Sequence, residues 1–343
     1  MSLTYTTCAP YPNPMTTWKP SVNPARVAFA ALCLLCFAPL LRLPAQFASI
    51  VAPAALIAGA TLAITLGNPF AAQTKPAAKW LLQASVVLLG FSMDIGKVIH
   101  AGKSGLVFSL VSIVSVFALG WILQKVLKVR SVTGLLVSAG TAICGGSAIA
   151  AVSSVVDAPE EDVSVAIGAV FLLNAVALLI FPPIGRLLGL SQHQFGVWSG
   201  IAIQDIASVV GAGASYGRDA LDIATAVKLA RVLYLVPITF IAAYVHRRRT
   251  AGVLAGERKA MQIPWFVGLF LLTSLARSES PLVANYTDDF KKIASVGFAI
   301  CLFFIGTALT RSTLKSVGFR PLVLGALLWL FISVASLAAV RLG

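Results

Sequence analysis

From residue 25 to residue 341 the chain is a succession of apolar runs, most of them close to twenty residues long, with short polar gaps between them. A helix of about 20 apolar residues matches the hydrocarbon thickness of a bilayer. This pattern leaves little room for anything but a polytopic bundle of membrane helices. The runs are 25–41, 46–66, 79–95, 103–125, 131–156, 162–189, 195–216, 220–245, 264–282, 292–310 and 319–341, with breakers such as Gly67-Asn68-Pro69 and Gly318-Phe319-Arg320-Pro321 in the gaps. Only 11% of residues are charged, against about 25% in a soluble domain. The expected fold is all-α, with nine to eleven transmembrane segments in a single domain over 25–343. Residues 1–24, rich in Thr and Pro, are read as a disordered tail, because they lack the apolar core and cleavage site of a secretory signal.

The net charge of +14 would suit a nucleic-acid partner, but Lys and Arg sit mainly in the short gaps. There they orient helices and meet anionic lipid headgroups. The heaviest basic gap, with Arg247, Arg248, Arg249, Arg258 and Lys259, belongs in the cytoplasm by this rule. Alternation from that gap puts fifteen of the 26 basic residues on the same side and nine on the other. The N-terminus is then cytoplasmic and the C-terminus periplasmic, in a bacterial-type inner (plasma) membrane. The five cysteines, Cys8, Cys33, Cys36, Cys144 and Cys301, have no metal-ligand spacing. Cys33 and Cys36 are one helical turn apart in an apolar run, which suits packing. His100 and His193 fall in gaps and His246 opens the basic gap, none beside another ligand-type residue. With no metal pair, nucleophile elbow or phosphate loop, neither an enzyme nor a resident metal or cofactor is expected.

Two runs are interrupted. Residues 131–156 carry Gly140-Thr141-Ala142-Ile143-Cys144-Gly145-Gly146-Ser147 at their centre. A glycine in a helix interior costs roughly 1 kcal/mol relative to alanine. Non-helical backbone at membrane depth survives only where protein or a cavity covers it. The run 195–216 echoes this with Gly200-Ile201-Ala202-Ile203-Gln204-Asp205-Ile206-Ala207-Ser208, later followed by Gly211 and Gly213. If both are re-entrant hairpins and only 162–189 crosses between them, they enter from opposite faces and their tips meet, as in inverted-repeat transporters. If both cross fully as broken helices, they run parallel. Small residues could also serve close helix packing alone. A further echo links Gly90-Phe91-Ser92-Met93 with Gly306-Thr307-Ala308-Leu309, at a different spacing and in the opposite orientation.

Charges inside the runs are few, and each costs about 2.5–3.5 kcal/mol at a helix centre. Lys228 and Arg231 lie three apart on one helix face, and Asp205 lies in the second interrupted run. Two cations against one carboxylate favour an anionic ligand, helped by the N–H groups of half-helix N-termini. The bland alternatives are an ion pair with Asp205, or snorkelling to the membrane interface. Asn174, mid-run, could bond a neighbouring helix or line the site. Asp94 suits a cap, and Pro182-Pro183 and Pro237 should kink or end their helices.

These residues resemble the YeiH-like bacterial inner-membrane proteins, a family named for sulfate export. The resemblance runs from about Lys79 to the C-terminus. It is carried by Lys79-Trp80-Leu81-Leu82, Gly140 to Ala151, Gly200 to Val210, Val227-Lys228-Leu229-Ala230-Arg231 and Pro264-Trp265-Phe266-Val267. It implies a secondary transporter of a small anion, sulfate or a sulfonate, working by alternating access. An anion channel and a carrier of small carboxylates are the alternatives. The family's second motif usually reads His-Asp where this chain has Gln204-Asp205, which puts a proton-coupling imidazole there in doubt. The expected substrate site comprises Thr141, Cys144, Gly145, Gly146, Ser147, Gln204, Asp205, Ser208, Lys228 and Arg231, with Asn174 as a further lining residue. The coupling ion, Na+ or H+, stays open. The expected partners are the anion and membrane lipids, with homo-oligomers an option and no nucleic acid.

Overall fold

A computed structural model describes residues 24–37, 45–93, 95–249, 265–311, 315 and 317–342. All of the expected tail but Pro24 lies outside these residues, as do Cys8, Asp94, Arg258 and Lys259. The described helices are α1 (Pro24–Leu35), α2 (Ala45–Thr65), α3 (Ala71–Gly90), α4 (Ile95–Val126), α5 (Ser131–Ala142), α6 (Gly146–Val155), α7 (Glu160–Leu187), α8 (Gln192–Ala202), α9 (Ile206–Tyr216), α10 (Arg218–Val232), α11 (Leu235–Arg249), α12 (Trp265–Glu279), α13 (Pro281–Asn285), α14 (Thr287–Thr307) and α15 (Phe319–Leu342). Five described stretches are long and apolar enough to cross a membrane: Phe108–Val126, Glu160–Leu187, Arg218–His246, Thr287–Thr307 and Phe319–Leu342. Both interrupted runs break where the glycines and polar residues stand, at Ile143–Gly145 and Ile203–Asp205.

Each broken run is a hairpin. Ile149 of α6 lies over Gly140 of α5, so close that a β-carbon on that glycine would meet its Cδ1 at 2.9 Å. On one straight helix these two residues would be about 13 Å apart. The two ends of the run also meet: Thr133 donates to Asp162, and Arg130 pairs with Asp162 at 3.4 Å. In the second run the Phe195 and Tyr216 rings stack at 3.8 Å, and Gln192 Oε1 accepts from the Asp219 amide at 3.0 Å. Only α7 passes between the two bases, so the hairpins enter from opposite faces.

The contacts sort the other connections onto the same two faces. On one, the cleft lined by Lys128, Arg130, Glu161, Asp162 and Arg320 joins the base of hairpin α5–α6 to the start of α15. Asn68 bonds Thr307 on that face too. On the other, Arg341 bonds the Leu188 carbonyl, Phe91 stacks on Phe290, and the Ile95 amide bonds Ser278. These groupings agree with the alternation read from the basic residues.

The packing also pairs elements two by two. α3 lies antiparallel against α14; α2 packs on α14 as α12 packs on α3. α4 packs on hairpin α5–α6 as α15 packs on hairpin α8–α9, and α7 meets α15 as α10 meets α4. The halves are therefore inverted and circularly permuted: hairpin α5–α6 follows α2–α4, whereas hairpin α8–α9 precedes α12, α14 and α15. That order is why the two echoes have different spacings. α6 and α9 start at residues 146 and 206, the spacing of Gly140 and Gly200, while Gly90 and Gly306 lie in the last turns of the antiparallel α3 and α14. In the second bundle, formed by α2, α3, α12 and α14, glycine meets backbone: a β-carbon on Gly59 would clash with the Phe303 carbonyl oxygen, and one on Gly306 with that of Leu56.

Several expectations shift. His100 lies within α4 and His193 in the first turn of α8, where Ser191 and Gln194 form a capping box. Helix ends are set by capping and packing, which the hydrophobicity of a run does not report. Pro182 and Pro183 do not end α7, which continues to Leu187 with Phe181, Pro182 and Gly185 buried. The run holding Pro237 does break as expected, α10 ending at Val232 and α11 starting at Leu235, which puts Pro237 in the first turn of α11, where a missing N–H is tolerated. With the hairpins as described, Glu160→Cys should react with a membrane-impermeant maleimide from the face that carries Lys128, and Arg218→Cys from the opposite face. Labelling of both from one face would refute the topology.

Candidate functional site

The two hairpin tips meet in the middle of the bundle, and the expected site residues come together there. The tip of α5–α6 turns at Gly145, whose φ of +68° is in the range that favours glycine. A β-carbon on it would also sit 3.1 Å from Cβ of Asp205, at the other tip. Gln204 donates to the Thr141 hydroxyl at 3.1 Å, a direct bond between the tips.

Breaking a helix leaves carbonyls at the end of one arm and amides at the start of the next without partners. In hydrocarbon these need protein partners. At the first tip the carbonyls are met from α10: Arg231 Nε donates to Ala142 O at 2.6 Å and Lys228 Nζ to Ile143 O at 3.3 Å. Both cations are completely buried, which excludes snorkelling. They sit at the negative end of the α5 dipole. At the second tip the amides are met from α7: Asn174 Oδ1 accepts from the Gln204 amide at 2.9 Å and the Asp205 amide at 3.2 Å. Asn174 is thus a tip-bonding residue more than a lining one. Asp205 caps α9, accepting from the Ser208 amide at 2.9 Å and from the Ser208 hydroxyl. It forms no ion pair with any described residue, so the alternative of a pairing with Lys228 or Arg231 does not occur.

What is left over defines the chemistry available. Both terminal nitrogens of Arg231, Nη1 and Nη2, are buried without a partner, as is Gln204 Oε1. The N-terminus of α9 is occupied by the Asp205 carboxylate, whereas no side chain caps α6. Cys144 Sγ and Ser147 Oγ are 2.8 Å apart at that uncapped end, and Cys144 is within electrostatic reach of both cations. Ser147 is exposed, Gly146 half-buried, and Thr141, Cys144, Gly145, Gln204, Asp205, Ser208 and Asn174 buried. Two free guanidinium donors near an uncapped helix N-terminus suit an oxyanion. No group of His, Cys, Asp and Glu that could hold a metal ion occurs among the described residues.

Sequence reasoning passes over two features. The hydroxyls of Ser153 and Ser154 continue the partly exposed face of α6 beyond Ser147. Asp222, in the run 220–245, meets Lys291 of α14 at 3.2 Å; the rule that singles out Lys228 applies to it equally. The geometry carries a stability prediction. Asn174→Leu leaves two buried amides unpaired, at about 1–3 kcal/mol each, and should lower the unfolding free energy in micelles accordingly. Gly145→Ala should cost about 1–3 kcal/mol through backbone strain. A loss below that range in either variant would mean the tips are not held as described.

The family model for Conserved hypothetical protein 698 matches residues 28–325. The chain is 41% identical to a UPF0324 membrane protein of Porphyromonas gingivalis, over 96% of this chain and 100% of that one. It is 42% identical to one of Bacteroides thetaiotaomicron, over 86% and 88% respectively, and 41% identical to one of Bdellovibrio bacteriovorus, over 93% and 95%. No solved structure matches. Similarity of this extent covers both hairpins and the helices that hold them, and the chain belongs to this YeiH-like family of UPF0324 membrane proteins.

Proposed function

We propose that the protein is a secondary active transporter of a small oxyanion, sulfate or a sulfonate, in the bacterial plasma membrane, working by alternating access. The observation that carries this is the pair of unpartnered, fully buried nitrogens on Arg231. A buried guanidinium with idle donors costs several kcal/mol, and an anion supplied from solution would offset that cost. Lys228 adds charge, while the uncapped start of α6 and the Ser147 hydroxyl add donors without fixed geometry. By the positive-inside rule the face with Lys128, Arg130 and Arg320 is cytoplasmic, as is the N-terminus, and the C-terminus is periplasmic. The inverted halves suit a carrier, because two packings of similar composition can differ by little free energy.

The decisive experiment is a proteoliposome screen of sulfate, sulfite, sulfonates and small carboxylates, with and without Na+ and pH gradients. Saturable anion-dependent flux is expected, and none under any condition would sink the reading. Arg231→Lys keeps a cation that can bond the Ala142 carbonyl but removes the free donors. Hydrogen bonds to charged groups contribute about 1.5–3 kcal/mol, so anion affinity should fall about tenfold or more with the fold retained. Unchanged affinity in a folded Arg231→Lys protein would move the site elsewhere.

A further inference from the structure

The two hairpins are built alike but covered differently. In α9 every residue from Ile206 to Gly213 is buried, because this arm packs on α2 and α14 of the second bundle as well as on α7 and α10. In α6 only Ala148, Ile149, Ala151 and Val152 are buried. That arm packs on α5, α7 and α11, with no comparable packing on α12 or α3, although those helices stand to α6 as α2 and α14 stand to α9. Its remaining face carries Ser147, Ala150 and Ser154, exposed or half-buried. Positions 147, 150 and 154 follow one helix face. A stripe with two hydroxyls, starting at the tip, is what a wetted path to the site requires.

The opposite face has a bond where this face has a gap. Asp222 of α10 and Lys291 of α14 pair at 3.2 Å, with their side chains about one-quarter and one-fifth exposed. They join the helix that holds the tips to the helix that covers α9. Resting on the transport reading above, we propose that this conformation is open toward the face of Arg130 and Arg320. The Ser147–Ala150–Ser154 face of α6 is the substrate route, and the Asp222–Lys291 pair is the latch on the opposite route. In the other state α9 leaves α2 and α14 while α6 closes on α3 and α12, so each substrate route is shut by the same small-residue contact that the inverted half now shows.

The test reads thiol accessibility with a membrane-impermeant methanethiosulfonate, with the native cysteines as the blank. Ser154→Cys should react from the Arg130 face and not from the other. Ala212→Cys, whose native side chain is fully buried, should be inert from both. Adding Asp222→Asn should slow the first reaction and expose Ala212→Cys to the opposite face. The shift expected for a partly exposed ion pair is about twofold to fivefold, and Asp222→Glu should reverse most of it. Reaction of Ser154→Cys from both faces, or from neither, would overturn the route. Rates unchanged by Asp222→Asn would overturn the latch. Labelling needs no substrate, so a failed flux screen would sink the transport reading and leave this result standing.

Discussion

Backbone that stops being helical inside a bilayer has no water to fall back on, and the centre of this protein is organised by that constraint. Two helices break at mid-depth, and their freed groups are met by side chains from two other helices. Lys228 and Arg231 on α10 bond the carbonyls of the first tip, while Asn174 on α7 bonds the amides of the second. Each such bond replaces one that would otherwise be lost at several kcal/mol. The tips, α7 and α10 are consequently one mechanical unit.

This arrangement also explains how charge is tolerated at depth. Lys228 and Arg231 do not pair with an acid; they face the carbonyl end of a short helix, where the dipole favours cations. Asp205 faces the amide end of another, through Ser208. Each charge is set against a backbone dipole, and the charges stay separate. Of the three charges at the tips, Arg231 keeps an outer fork that no described residue compensates, and the transport reading rests on that surplus.

A good part of this was legible before folding. Run lengths gave the membrane class, and Gly140 to Ser147 and Gly200 to Ser208 gave both breaks. The rarity of intramembrane charge picked out Lys228, Arg231 and Asp205. Their partners were not legible, because a carbonyl 89 positions away in sequence leaves no trace in local pattern. The histidines were misplaced for the complementary reason: helix ends are set by packing and capping. The permuted order of the halves was hidden too, since echoes at two spacings look like conflict until antiparallel packing reconciles them.

By itself, then, the sequence determined a polytopic helical bundle, its two weak points and the few costly charges near them, because burial in lipid filters residue types by depth. Only the tertiary structure decided that the weak points are hairpins from opposite faces and that Asn174 joins the second tip to the crossing helix. It also decided that Arg231 keeps two donors idle. Those outcomes depend on which distant backbone groups lie within about 3 Å of one another, and chain connectivity alone does not specify that.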